Sequence, residues 1–189
     1  DLTRSIGEDT PEFYWFACYK AIAAANQALK AISVAHDQEA YRAQRGEALV
    51  TRAYAHFMLV NLFAKFFDPA TASTDAGIPY VTEPETNFIK QYSRENVAHV
   101  YAMIESDLVT GLGYIDDNNY VIPKYHFTQV AAHAFATRFY LYKKDYEKVI
   151  HHATQAVPNN NYLPNLRPWN TEYTTIGLND IAPRYAKAT

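Results

Sequence analysis

From Asp37 to Phe67 the chain runs without proline and carries two apolar stripes at helical spacing. One stripe is Ala48, Arg52, Ala55, Leu59, Leu62, Phe66; the other is Ala53, Phe57, Val60, Ala64, Phe67. Steps of three and four place each set on one face of a helix. Two apolar faces require neighbours on more than one side. The segment therefore predicts the central helix of an all-helical fold, with a break near its start.

Other helices are predicted around it. Thr10 suits an N-cap, Pro11 the first helical position and Glu12 the positive end of the helix dipole. Tyr14, Cys18, Ala21, Ala25, Ala28 and Ile32 then form a stripe, and its alanines allow a neighbouring helix to approach closely. Residues 68–89 break the helical pattern with Pro69, Gly77, Pro79 and Pro84, and Gly77–Thr82 reads as a short extended piece. Ser93 is predicted to cap a third helix, with Glu95 in its first turn, a face of Val97, Tyr101, Ile104 and Leu108, and Gly111 and Gly113 as its end. A polar connector follows, from Asp116 to Lys124. A fourth helix carries Phe127, Ala131, Ala134, Arg138 and Leu141, and Lys143-Lys144-Asp145 forms a tight turn. A fifth uses Tyr146, Val149, Ile150, Ala153, Ala156 and Val157, stopped by Pro158.

Residues 134–158 fit a tetratricopeptide pattern, and Thr51-Arg52-Ala53-Tyr54 echoes Thr137-Arg138-Phe139-Tyr140. The expected fold is all-α: tetratricopeptide-like antiparallel helix pairs forming an α-α superhelix over residues 1–158. Residues 159–189, rich in Asn, Pro, Thr and Tyr, read as an irregular segment continuing into a missing C-terminal part.

Composition excludes several functions. A formal net charge of −3 gives no basic face for nucleic acid. A single cysteine, Cys18, excludes a disulfide framework and a cysteine-rich metal site. No stretch approaches the roughly 18 apolar residues of a membrane span. The first residues lack the basic-then-apolar pattern of a targeting segment, so the chain is expected to be soluble, processed or part of something longer.

Candidate chemistry is sparse. No phosphate loop, zinc-protease helix, nucleophile elbow or Cys-x-x-Cys occurs, so no catalytic residue and no cofactor is expected. His151 and His152 are adjacent and point roughly 100° apart on a helix, which does not chelate. His126 and His133 are spaced to share a face, but a satisfied or solvated histidine is the better reading, and no metal is expected. Glu83 and Glu85 read as solvated loop charges. Arg52 and Arg138 each interrupt an apolar stripe. Each is expected to pack its stem on the core and pair its guanidinium with an acid or a helix carbonyl, rather than to meet a ligand or partner. Tyr162, Asn165, Trp169 and Tyr173 combine aromatic faces with amides, the composition of a sugar-binding loop. The alternative for these residues is a tail docked across the helices by its aromatics.

Four segments in order resemble the SusD/RagB family of outer-membrane nutrient-binding lipoproteins. They are Gly46–Phe63, Gly77-Ile78-Pro79-Tyr80-Val81, Ser93–Val97 with Ile104–Leu108, and Val130–Tyr142 with Asp145–Val149. The link from Ala64 to Ala76 is longer than the family's, Val149 replaces its common alanine, and the resemblance covers only the N-terminal, helix-repeat part of much longer relatives. The family's lipidated N-terminal cysteine is absent, Cys18 lying inside a helix. The resemblance implies a surface-exposed lipoprotein of the outer membrane, held there only through a lipid anchor absent from this chain. It also implies a protein that holds an oligosaccharide or polysaccharide and delivers it to a SusC-like TonB-dependent transporter. The helix pairs alone equally suit a tetratricopeptide-type protein-interaction adaptor without sugar affinity.

Overall fold

The computed structural model describes residues 10–85 and 90–160. The chain divides into two compact units, residues 1–156 and 157–189. In the second, the described part is a 3-10 turn, Pro158–Asn160, in which Asn159 takes a left-handed conformation, φ 58°.

The first unit contains helices α1 (Pro11–Ser33), α2 (Arg42–Phe63), α3 (Val97–Leu112), α4 (Gln129–Lys143) and α5 (Tyr146–Ala156). Among the described residues no strand forms, and the one isolated bridge pairs Ala76 with Asn96. Contacts between helices run in opposite residue order. Trp15 meets Phe63 and Asn26 meets Arg52; Arg52 meets Asp107 and Asn61 meets Tyr101; His133 meets His152 and Tyr140 meets Lys148. The packed pairs α1/α2, α2/α3 and α4/α5 are therefore antiparallel. The all-α architecture of tetratricopeptide-like helix pairs read from the sequence is what folds.

Side chains cap α1 at Thr10, as expected from the sequence, and α3 and α4 at Asn96 and Thr128, while α2 starts without a side-chain cap. The Thr10 hydroxyl accepts from the Phe13 amide at 3.2 Å, and the Thr128 hydroxyl from that of Ala131 at 3.2 Å. Helix α3 is capped by Asn96, not Ser93. The Asn96 side chain accepts from His99 N at 2.8 Å, while Ser93 bonds to Glu95 ahead of the helix. Pairing of Ala76 with Asn96, and of the Gly77 amide with the Glu95 carbonyl at 2.7 Å, keeps residues 93–96 extended.

Of the two glycines expected to end α3, Gly113 does so and Gly111 does not. Gly111 lies inside the helix where α2 and α3 touch. A Cβ there would sit 2.8 Å from the Gly46 carbonyl and 2.8 Å from Val50 Cγ2. Gly46 is matched to it, a Cβ meeting the Ile115 amide nitrogen at 2.7 Å. These two glycines permit close approach of the backbones. Gly113, the C-cap, has an ordinary φ of −69°.

The predicted stripe holds in part in α1, where Ala25 and Ile32 are buried as expected, and is displaced by one residue in α4. In α1 the buried positions are Ile22, Ala25, Asn26 and Ile32, flanked by Trp15, Cys18 and Tyr19, while Ala21 and Ala28 face solvent. In α4 they are Ala132, Phe135, Ala136, Phe139 and Tyr140, while Ala134, Arg138 and Leu141 are exposed. In both, the bulkier neighbour supplies more apolar area, and burial follows area. Helix α2 stops at Phe63, because Ala64 turns extended and Phe67 leaves the helix to lie against the Tyr101 ring at 4.7 Å. Leu62 and Phe66, predicted to lie on a buried stripe, are exposed. In α5, Tyr146 and Ile150 likewise point outward and His152 is buried instead, while Ala156 is buried as expected. Lys144 makes the expected tight turn in a left-handed conformation, φ 64°.

Candidate functional site

The extended segment Gly77–Thr82 is the centre of the arrangement. It has no strand beside it, so side chains must satisfy its backbone. Tyr19 Oη donates to the Pro79 carbonyl at 2.8 Å, and Asn26 Nδ2 to that of Val81 at 3.0 Å. Arg52 Nη1 donates to the Thr82 carbonyl at 3.1 Å, and the Arg94 guanidinium to the carbonyl of Gly77. The Val81 amide donates to His56 Nε2 at 3.1 Å. Ile78 and Val81 are buried beneath.

Arg52 organises this network. Its Nε and Nη2 donate to the two Asp107 oxygens at 2.6 and 2.7 Å, a fork-to-fork pair, and Nη1 donates to Asn26 Oδ1 at 2.9 Å. Burial alone would lower the guanidinium's pKa; the Asp107 carboxylate outweighs this and raises it. Asp107 also accepts from Tyr80 Oη at 2.6 Å, and burial with that carboxylate pushes the tyrosine far above its ordinary range. The Tyr80 ring stacks on His56 with centroids 3.8 Å apart. His56 Nδ1 donates to the Arg52 carbonyl at 2.9 Å while Nε2 accepts from Val81, so two bonds define the neutral Nδ1–H tautomer. Burial lowers the His56 pKa to about 4, and the Arg52 charge acts in the same direction. Arg52 thus takes the structural role expected of it. Arg138 does not: it is exposed and lies over the Phe57 and Tyr142 rings, 5.8 Å from each centroid.

The anchored segment forms one wall of a hollow of about 320 Å³, with α1 opposite. Trp15, Phe16, Tyr19 and Tyr92 supply aromatic faces, Ile22, Pro79 and Val81 the aliphatic floor, and Glu83 and Glu85 an acidic edge. Trp15 is held by an edge-to-face contact with Phe63 at 4.8 Å and by Tyr19 at 4.9 Å. The Tyr92 hydroxyl is buried and makes no hydrogen bond among the described residues; burial and the neighbouring Glu85 carboxylate push its pKa up to about 12. A second, more polar hollow of about 580 Å³ adjoins along the same loop, lined by Asn26, Gln27, Ser33, Lys30 and Lys90. Together they offer apolar faces beside amides, hydroxyls and charges. That combination suits the non-covalent grip of an amphipathic ligand, and among the described residues the lining provides no nucleophile–base pair.

The sequence-predicted sugar residues Tyr162, Asn165, Trp169 and Tyr173 lie outside the described residues. Glu83 and Glu85 are exposed loop charges, as read, but they edge the aromatic hollow. His126 and His133 do not share a face. His126 precedes α4, stacks on Tyr120 at 4.3 Å and bonds to Glu47 at 2.9 Å, whereas His133 meets His152. Burial, with the neighbouring imidazoles, lowers the His152 pKa to about 4. Among the described residues no group of three or more His, Cys, Asp or Glu is placed to hold a metal ion, and no helix is long and apolar enough to cross a membrane. Sequence reasoning missed Asn26, which with Gln27 interrupts an alanine-rich helix, and the Trp15/Tyr19 pair, one helical turn apart. Both signals were present in the sequence.

Solved structures share this architecture. A SusD superfamily protein from Bacteroides thetaiotaomicron superposes with a TM-score of 0.65 at 28% identity, covering 78% of this chain and 32% of its own. A SusD-like carbohydrate-binding protein from Bacteroides vulgatus gives 0.69 at 22% identity, covering 80% and 32%. A laminarin-binding SusD-like protein gives 0.61 at 24% identity, covering 78% and 30%. The chain thus spans about a third of the length of these structures. Comparison with curated proteins gives no match. Residues 3–141 match a family model described as starch-binding and associating with the outer membrane, and with that match over most of its length this chain belongs to the SusD-like family.

Proposed function

We propose that the protein binds a glycan at the outer cell surface as a lipid-anchored component and delivers it to a SusC-like TonB-dependent transporter, without transforming it. The observation that carries this reading is the family match over residues 3–141. The carbohydrate-binding and laminarin-binding relatives of the same fold support the ligand class. The aromatic hollow supports it chemically. Sugar C–H faces stack on rings such as Trp15 and Tyr92, and hydroxyls bond to carboxylates and amides at the edge. Tyr162, Asn165, Trp169 and Tyr173 are proposed as further sugar contacts on their composition.

Affinity electrophoresis in gels containing starch or laminarin tests the reading. Retardation is expected in at least one gel, reduced by Trp15→Ala if the hollow binds and by Trp169→Ala if the C-terminal residues do. A transporter is expected to co-purify from membranes of the native host. Migration unchanged on both polysaccharides, with no transporter retained, would overturn the proposal in favour of a protein-interaction adaptor. Release of reducing sugar would overturn its non-enzymatic part.

A further inference from the structure

The α4/α5 hairpin joins two imidazoles that lie 19 positions apart in the chain. His133 Nδ1 and His152 Nδ1 are 2.9 Å apart, with ring centroids at 5.1 Å. At that distance one ring donates its Nδ1 proton and the other accepts it. The His152 ring is held in place, 9% exposed and parallel to Tyr140 within 3° at 5.2 Å. His133 is half-buried and borders an open hollow of about 510 Å³, with His151 on its rim. Glu105 in the same hollow is engaged by Lys143 and Lys148.

We propose that His133 and His152 form a two-imidazole site for a late first-row divalent cation of tetragonal preference, Cu²⁺ or Ni²⁺, with water in the remaining positions. Two nitrogen donors in cis positions about 2.0–2.1 Å from such an ion sit about 2.9 Å apart, whereas a tetrahedral ion spreads them to about 3.3 Å. The observed 2.9 Å is an ordinary hydrogen-bond distance that also lies near the first spacing, so the rings need move little to take such an ion. Binding replaces the shared hydrogen bond. The donor ring passes its proton from Nδ1 to Nε2 through solvent in the hollow, so no proton is lost overall. The His133 ring, the less buried, turns its lone pair toward the ion. The ion then ties α4 to α5 and stabilises the hairpin by mass action. The site is separate from the aromatic hollow and does not rest on the glycan reading.

The test is a Cu²⁺ titration of the chelator-stripped full chain, followed by calorimetry and electron paramagnetic resonance. One tight equivalent is expected, with an axial spectrum showing superhyperfine coupling from two imidazole nitrogens. His133→Asn and His152→Asn should each abolish that coupling and weaken binding roughly tenfold or more. The exposed His36→Asn/His99→Asn pair should leave both unchanged. Circular dichroism checks folding, and the half-buried His133 keeps the test decisive if the His152 variant does not fold. Uptake and spectrum unchanged in His133→Asn, or no Cu²⁺ bound beyond what that variant takes up, would overturn the proposal.

Discussion

Replacing Arg52 by methionine keeps most of the side chain's length and apolar stem while removing its charge and all its donors. Four hydrogen bonds disappear, at 2.6, 2.7, 2.9 and 3.1 Å. The Asp107 carboxylate, 6% exposed, keeps Tyr80 Oη at 2.6 Å but no cation. Removing one partner of a buried pair costs about 3–5 kcal/mol, mainly because the other charge is left in a poorly solvating site. The Asn26 and Thr82 acceptors contribute about 1 kcal/mol each within that range, since the bonds form one network and do not add freely. For a unit of this size the melting temperature should fall by roughly 6–20 °C. The double variant Arg52→Met/Asp107→Leu removes both charges and should be more stable than the single one. Urea and thermal unfolding followed by circular dichroism give the cycle. Hydrogen exchange gives an independent readout: the Val81 amide should exchange faster in both variants as the loop loosens. A single variant within about 1 kcal/mol of the parent, or a double variant whose loss is the plain sum of the singles, would refute the reasoning.

The two ends of the glycine series in α3 should respond with opposite signs. Gly111→Ala places a methyl against the α2 backbone and should cost about 1–3 kcal/mol by urea midpoint, whereas Gly113→Ala, with space and an ordinary φ, should stabilise by about 0.4–1 kcal/mol. The folded His56 pKa of about 4 lies below the unfolded value of about 6.5, so the unfolded chain binds more protons between them. Stability contributed by neutral His56 is therefore complete above about pH 6.5 and declines by about 1.4 kcal/mol per pH unit as the pH falls toward 4. His56→Asn should remove that share of the slope in unfolding measured across the window. Phe57→Ala, at a fully buried ring, should cost about 3–5 kcal/mol, and Phe66→Ser, at a side chain 70% exposed, about 0.5 kcal/mol or less.

Several features were legible because they depend on neighbours in the chain. Thr10 and Pro11 start a helix whatever surrounds it, since the cap and the missing amide act within one turn. Periodicity in residues 42–63 announced a helix buried on two sides, and burial of Val50, Ala53, Phe57, Leu59 and Val60 realises it. Three of the four family-like segments also share a physical cause, visible only in three dimensions. Arg52, Gly77–Val81 and Asp107 come from different segments and are joined by one buried network.

What tertiary structure alone decided is which neighbour each surface meets. A stripe read one residue off in α4 satisfies the same 3.6-residue period, and the choice fell to Phe135 and Phe139, which meet Phe57 of α2. Asn96 displaced Ser93 as a cap because pairing with residues 76–77 holds the preceding turn extended. Gly111 reads as the end of a helix along the chain; across the helices it is the space the Gly46 carbonyl requires, and Gly46 in turn leaves room for the backbone of Tyr114 and Ile115. The pairing of His133 with His152, and the aromatic hollow walled by a loop that side chains hold open, arise from long-range packing. Local propensity is a property of a few adjacent residues, and it carries no information about which distant surface will exclude the water.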